Sequence, residues 1–200
     1  MRALIMAGGA GTRLARGEKP LILIGGIPMI RYITDAFLEA GCEPVVAVSQ
    51  RTPMTANWCR ANGIALVHTR GDGYIPDMVQ AVRQLDENGP IIVSVSDIPC
   101  ITGTVVKTIV GMYTNCRKPA LSTWVPASRV QSCRGGMPYR EIIDGVESCP
   151  AGINIVCADT IGMEQEEFAF LFDEPRLALN INTPADLTRA ESVLCNPPGS

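Results

Sequence analysis

One histidine, His68, is all that the 200-residue sequence offers of the side chain that most often moves protons near neutral pH. It closes a strand-like run and reads as a loop-edge residue rather than a catalytic base. The eight cysteines include no Cys-x-x-Cys pair, and one histidine cannot complete a zinc set of recognisable spacing. They read as reduced thiols acting as small hydrophobes, because a chain rich in core-forming residues and lacking an export signal needs no disulfide framework. Charged residues are also scarce, at 18%, and the formal net charge is -3. A polyanion such as nucleic acid or an anionic membrane surface would not be attracted to the molecule as a whole. No apolar run approaches the roughly 20 residues of a membrane-spanning helix, and the apolar start at residues 3–7 is too short for a signal peptide. The expectation is a cytoplasmic protein with no nucleic-acid partner and no stable membrane association, a homodimer being left open.

What is present is hydrophobic: 46% of the residues, enough for one well-buried core and too few for two full-sized domains. One domain over residues 1–195 is expected, with 196–200 as a frayed tail. Strand-length apolar runs at residues 2–6, 44–49, 64–67, 91–96 and 120–124 alternate with helical patterns at 29–40, 53–62, 75–86 and 102–115. That alternation indicates parallel strands joined by crossover helices. After about Val125 the pattern changes. Runs at 139–143 and 146–148 flank Asp144-Gly145, the chemistry of a two-residue hairpin turn. Further strands are expected at 151–156 and 177–181, followed by a helix opened by Thr183-Pro184. The fold class is therefore α/β, a three-layer sandwich around a mostly parallel mixed sheet, Rossmann-like.

The strongest chemical signal is Ala7-Gly8-Gly9-Ala10-Gly11-Thr12-Arg13, which leaves the first strand at the edge where open α/β sheets hold ligands. Three glycines in four positions let successive N–H groups face one anion, and Arg13 and Lys19 add two cations. Together they suit a triphosphate and the charge that develops on departing pyrophosphate. The Walker A spacing is absent. The dinucleotide fingerprint fails at Leu14, where glycine or alanine is required.

The stretch from Leu4 to Leu21 resembles the opening signature of nucleotidyltransferases with a glycosyltransferase-A-like fold, and the short gap from Arg13 to Lys19 looks like the guanylyltransferases of cofactor synthesis. Gly71-Asp72-Gly73-Tyr74-Ile75-Pro76-Asp77, Pro150-Ala151-Gly152-Ile153-Asn154 and the run from Asn180 to Leu187 are similar to the archaeal-type GTP:adenosylcobinamide-phosphate guanylyltransferases. Asn-x-Asn-Thr-Pro is shared with molybdenum-cofactor guanylyltransferases, and Ser96-Asp97-Ile98-Pro99 has the Asp-x-Pro form common among them. A sugar-phosphate enzyme and a non-catalytic GTP-sensing module are the remaining alternatives.

The resemblance implies transfer of GMP from GTP to adenosylcobinamide phosphate, with Mg²⁺ as cofactor and Arg13, Lys19 and Asp97 as the catalytic group. Nucleotide contacts are expected from Ala7, Gly8, Gly9, Gly11, Thr12, Arg13, Lys19, Ser49, Gly71, Gly73, Tyr74 and Asp77, and acceptor contacts from Gly152 and Asn154. Asp97 and Asn182 are the expected metal ligands, Asp97 because it follows a buried strand at its carboxyl end. Each has a plainer alternative. Asp97 could cap the helix near Thr102, and Asn182 could serve a turn. Tyr74 either packs on a ring or anchors its helix, Asp77 either reads the ligand or occupies a helix first turn, and Gly152 could simply permit close backbone approach.

Overall fold

Strand β1 (Arg2–Met6) is buried on both faces, and its period-two alternation sends Ala3 and Ile5 into one core and Leu4 into another. The computed structural model describes residues 1–9, 17–130 and 139–195. β1 pairs in parallel with β4 (Glu43–Val48) and with β6 (Pro90–Val95), and β5 (Ala65–His68) adds in parallel outside β4. Ile30, Ile33 and Phe37 of α1 (Met29–Glu39), Ala56 and Cys59 of α2 (Pro53–Ala61), and Val105, Val106 and Ile109 of α4 (Gly103–Cys116) cover the Ala3/Ile5 face. Ala81 and Val82 of α3 (Tyr74–Leu85) cover the Leu4 face. Helices on both faces of the sheet make the three layers expected from the alternation.

The antiparallel element enters the middle of the sheet. β9 (Val146–Cys157) lies between β6 and β7 (Ala120–Pro126), and with β10 (Glu167–Leu171) outside β7 the order is β10-β7-β9-β6-β1-β4-β5. β8 (Glu141–Ile143) pairs only with β9, across the Asp144-Gly145 turn whose φ values of 50° and 80° are those of the expected hairpin. The runs read separately at 146–148 and 151–156 are one 12-residue strand. Pro150 is tolerated there beside an irregularity: Ser122 pairs with Asn154 and Trp124 with Pro150, so β9 spends four residues where β7 spends two. Gly152 takes φ +77° in this bulge, and Asn154 Oδ1 accepts a 3.2 Å hydrogen bond from Thr123 N, the amide at the irregularity.

One expected strand does not form. Residues 177–181 follow a turn in which Leu177 N donates to Glu174 O and Ala178 N to Pro175 O. The turn takes in the first residues of the run, and Ile181 N reaches a neighbouring segment, donating to Asp97 O at 2.8 Å. The edge strand beside β7 is instead β10 (Glu167–Leu171), which the apolar-run criterion passed over. A short antiparallel pair, β2 (Leu23–Ile24) and β3 (Ile27–Pro28), also escaped it, although the intervening Gly25-Gly26, at φ 56° and 83°, is a hairpin turn by composition. α5 (Pro184–Cys195) closes the described chain.

Candidate active site

β1 and β6 are adjacent parallel strands, so the residues leaving their carboxyl ends, Gly8-Gly9 and Ser96-Asp97, meet at one edge. The Lys19 ammonium reaches that edge from a 3-10 turn over Lys19–Leu21, where it forms an ion pair with Asp97 Oδ2 and donates a 3.1 Å hydrogen bond to Asn182 Oδ1. Asp97 does not cap α4. Thr102 does, its Oγ1 accepting from Val105 N. The carboxylate is thus left for the cleft, and its Oδ1 is buried with no hydrogen-bond partner among the described residues.

A small satellite core explains why three such distant residues converge. Ile22, Ile24, Met29, Cys100, Ile181, Leu187 and Ala190 pack together, joining the segment after Lys19, the segment after Asp97 and the segment around Asn182. Asn182 is fixed further by its neighbours. Its Nδ2 donates to Asn180 Oδ1 at 2.9 Å, and its backbone N to Asp186 Oδ2 at 3.1 Å. Thr183 N and Oγ1 both donate to that same oxygen at 2.8 Å, and Asp186 N donates back to Thr183 Oγ1. This reciprocal cap starts α5 and holds the Asn182 backbone at once.

Gly8, Gly9, Lys19, Gly71, Gly73, Tyr74, Asp77, Asp97 and Asn182, all singled out from the sequence, line one cleft of about 380 Å³. Arg51 also lines it and was missed. Its signal was available, since it lies two residues beyond Ser49 at the end of a strand on the ligand-bearing edge. Ser49 and Ala7 lie behind the lining: Ser49 is 3% exposed, its Oγ donating to Gly8 O at 2.7 Å and accepting from Arg51 N at 3.1 Å, while Ala7 N donates to Ala47 O within the sheet. Gly152 and Asn154 occupy the β9 bulge, outside the lining. Gly11, Thr12 and Arg13 lie outside the described residues.

A further part of the cleft wall is set by Asp77, which is 7% exposed. Its Oδ1 accepts from Gly71 N at 3.0 Å and Asp72 N at 3.2 Å, folding the 71–73 segment over the start of α3. Gly71 and Gly73 take φ values of +81° and +135°, conformations that a side chain would strain. Tyr74, 42% exposed as a residue, lines the cleft, yet its hydroxyl is pushed up to about 12, first by burial and then by the Asp97 carboxylate. It therefore stays a neutral donor across the physiological range.

A family model described as the MobA-like NTP transferase domain matches residues 3–173. The chain belongs to this family. It is 35% identical over 200 aligned positions to a protein named adenosylcobinamide-phosphate guanylyltransferase from Methanocaldococcus jannaschii, the match covering 97% of each. Solved structures of the same fold include a hypothetical transferase from Thermus thermophilus (TM-score 0.70, 16% identity, 94% of this chain and all of the other). Another is a CMP:2-keto-3-deoxy-manno-octonic acid synthetase complexed with CTP (TM-score 0.69, 19% identity, 97% and 98%). A putative glucose-1-phosphate thymidylyltransferase from Bacillus anthracis matches at TM-score 0.70 and 14% identity, over 96% and 94%.

In this NTP transferase the β9 bulge bears on the cleft through Val95, which lines it. A Cβ on Gly152 would stand 2.6 Å from Val95 Cγ2, at a φ that disfavours any side chain. Gly152→Ala is expected to cost about 2–4 kcal/mol, summing left-handed strain and overpacking. Chemical denaturation checks the cost, and an unchanged midpoint would remove the close-approach role. Among the described residues no cysteine lines the cleft. Burial pushes Cys59 up to about 11 and Cys100 up to about 12, keeping both protonated. His68 ends β5 beside Arg60, on the outside of the molecule. No helix among the described residues is long and apolar enough to cross a membrane.

Proposed function

We propose that this NTP transferase moves GMP from GTP to adenosylcobinamide phosphate, giving adenosylcobinamide-GDP and pyrophosphate. The observation that carries the reading is the convergence of Lys19, Asp97 and Asn182 at the foot of a glycine-lined cleft. The acceptor is supported by similarity along nearly the whole chain to a protein named for that reaction.

In the reaction an oxygen of the acceptor phosphate bonds to the α-phosphorus of GTP while the bond from that phosphorus to the bridging oxygen breaks, and pyrophosphate leaves with the electron pair. The attacking phosphate is already an anion near neutral pH, so no side chain has to remove a proton. This agrees with a cleft lined by no histidine. What remains is to position and neutralise. The Gly8 and Gly9 backbone lets phosphates approach closely, and Lys19, together with Arg13, stabilises the departing pyrophosphate. The Gly71–Gly73 segment, Tyr74 and Asp77 form the wall against which base and ribose rest.

Asp97 and Asn182 suit Mg²⁺. Two oxygens from distant segments already face one cationic centre, and the second Asp97 oxygen is buried without a partner among the described residues. Mg²⁺ ordinarily takes few protein ligands and completes its shell with water and phosphates. Bound there, it would screen the charge of the phosphate oxygens. The setting we propose is the cytoplasm, where GTP is made.

Pyrophosphate release from purified protein with GTP and Mg²⁺ tests the reading, with adenosylcobinamide phosphate, molybdopterin and sugar 1-phosphates as separate acceptors. Release with the corrinoid alone is expected. Release with another acceptor alone would overturn the pathway, and GTP binding without release from any of them would replace the enzyme with a GTP-sensing module.

A further inference from the structure

Gly8 and Glu18, described residues on either side of the glycine-rich stretch, are bound by the same short segment of chain. On the entry side, Gly8 O accepts from Ser49 Oγ, the same hydroxyl that receives Arg51 N. On the exit side, Glu18 reaches the start of α2: Oε1 accepts from Met54 N at 2.7 Å, and Oε2 accepts from Thr55 N and Thr55 Oγ1, both at 2.6 Å. Residues 49–55 therefore anchor both flanks of the loop.

The sequence of α2 makes the second anchor necessary. Pro53 at the first helical position has no N–H, so Met54 N and Thr55 N are the leading donors that the helix leaves without an internal acceptor. The residue before the helix, Thr52, would ordinarily supply the cap, but its Oγ1 accepts from Ser49 N and so serves the turn beneath Gly8 instead. The cap comes from Glu18, 36 and 37 positions away in sequence. A carboxylate there gains both from charge-assisted bonds and from the positive end of the helix. A cap that served the helix alone could be any local serine or aspartate. Its origin one residue before Lys19 ties the helix to the position of the ammonium.

We infer that Glu18 is a positioning residue for GTP binding and transfer. By tying residue 18 to α2 through its carboxylate, it limits where the next residue can start, and so keeps the Lys19 ammonium in the cleft. It touches no substrate and acts through Lys19. The inference rests on the nucleotide reading given above.

The test is a cycle of GTP dissociation constants, measured by calorimetry on wild-type protein, Glu18→Ala, Lys19→Ala and the double variant, with melting temperatures alongside. Glu18→Ala is expected to weaken GTP binding about tenfold, and the double variant to bind no more weakly than Lys19→Ala alone, as for residues acting as one unit. Thr55→Val removes one of the three donors with little change of shape. It is expected to weaken binding by a smaller factor that likewise vanishes without Lys19, and it keeps the test available if Glu18→Ala does not fold. Wild-type affinity in both Glu18→Ala and Thr55→Val, with lowered melting temperatures, would leave Glu18 a helix cap only and overturn the proposal. So would effects of Glu18 and Lys19 that multiply. Failure of the wild-type protein to bind GTP would instead overturn the nucleotide reading, and the inference with it.

Discussion

Lys19→Ala is expected to lower kcat for pyrophosphate release by about 10²–10³-fold, the usual consequence of removing one preorganised group from developing charge. The Lys19 side chain is only 16% exposed and its ammonium is held by two oxygens, so it is in place before the leaving group forms and costs little to reorganise. Because pyrophosphate carries more localised charge as it departs, kcat and kcat/KM should both fall. The fold should survive. The pair is mostly buried, so taking one partner from it is expected to cost about 1–3 kcal/mol of stability. Pyrophosphate release and a thermal melt on the same sample separate the two effects, and wild-type turnover would remove Lys19 from the chemistry.

Asp97→Asn tests the opposite charge at the same point. The substitution preserves shape and keeps an oxygen facing Lys19, so its effect reports the carboxylate charge. On the proposed reading it lowers kcat by about 10²-fold and raises the Mg²⁺ concentration needed for half-maximal rate, because a neutral amide is a weaker ligand for a hard cation. A Mg²⁺ titration of pyrophosphate release checks both quantities. Reduced turnover with an unaltered Mg²⁺ requirement would place Asp97 as a partner of Lys19 alone, and unaltered turnover would dismiss it.

Much of the molecule could be read from local pattern. The β1, β4 and β6 runs are apolar on both faces, and a strand that needs covering on both sides announces a parallel sheet wherever it sits. Asp97 was legible because it follows such a run, whereas Gly71 and Gly73 were marked by the family resemblance, and their positive φ values explain why glycine stands there. The expected strand at 177–181 failed for a local reason as well: an apolar run does not pair if a proline-led turn at Pro175 carries it off the sheet edge. β10, with its Phe168 and Phe170, had the composition of a strand and was overlooked in favour of that run.

Other features had no local signature. Nothing in β9 states that it inserts between β6 and β7, since hydrogen-bonded neighbours are chosen by the whole sheet. Ser49 ends its strand on the ligand edge, but its hydroxyl turns back to Gly8 O, and only the packing of two strands decides between those directions. Gly8, Gly9 and Lys19 carried their chemical types from the sequence through glycine geometry and charge, Asp97 through its place after a strand, and Gly71, Gly73, Tyr74, Asp77 and Asn182 through the family resemblance. Their assembly into one cleft required the fold: Lys19 meets Asp97 across 78 positions and Asn182 across 163, through a satellite core of apolar residues whose joint burial no single segment encodes.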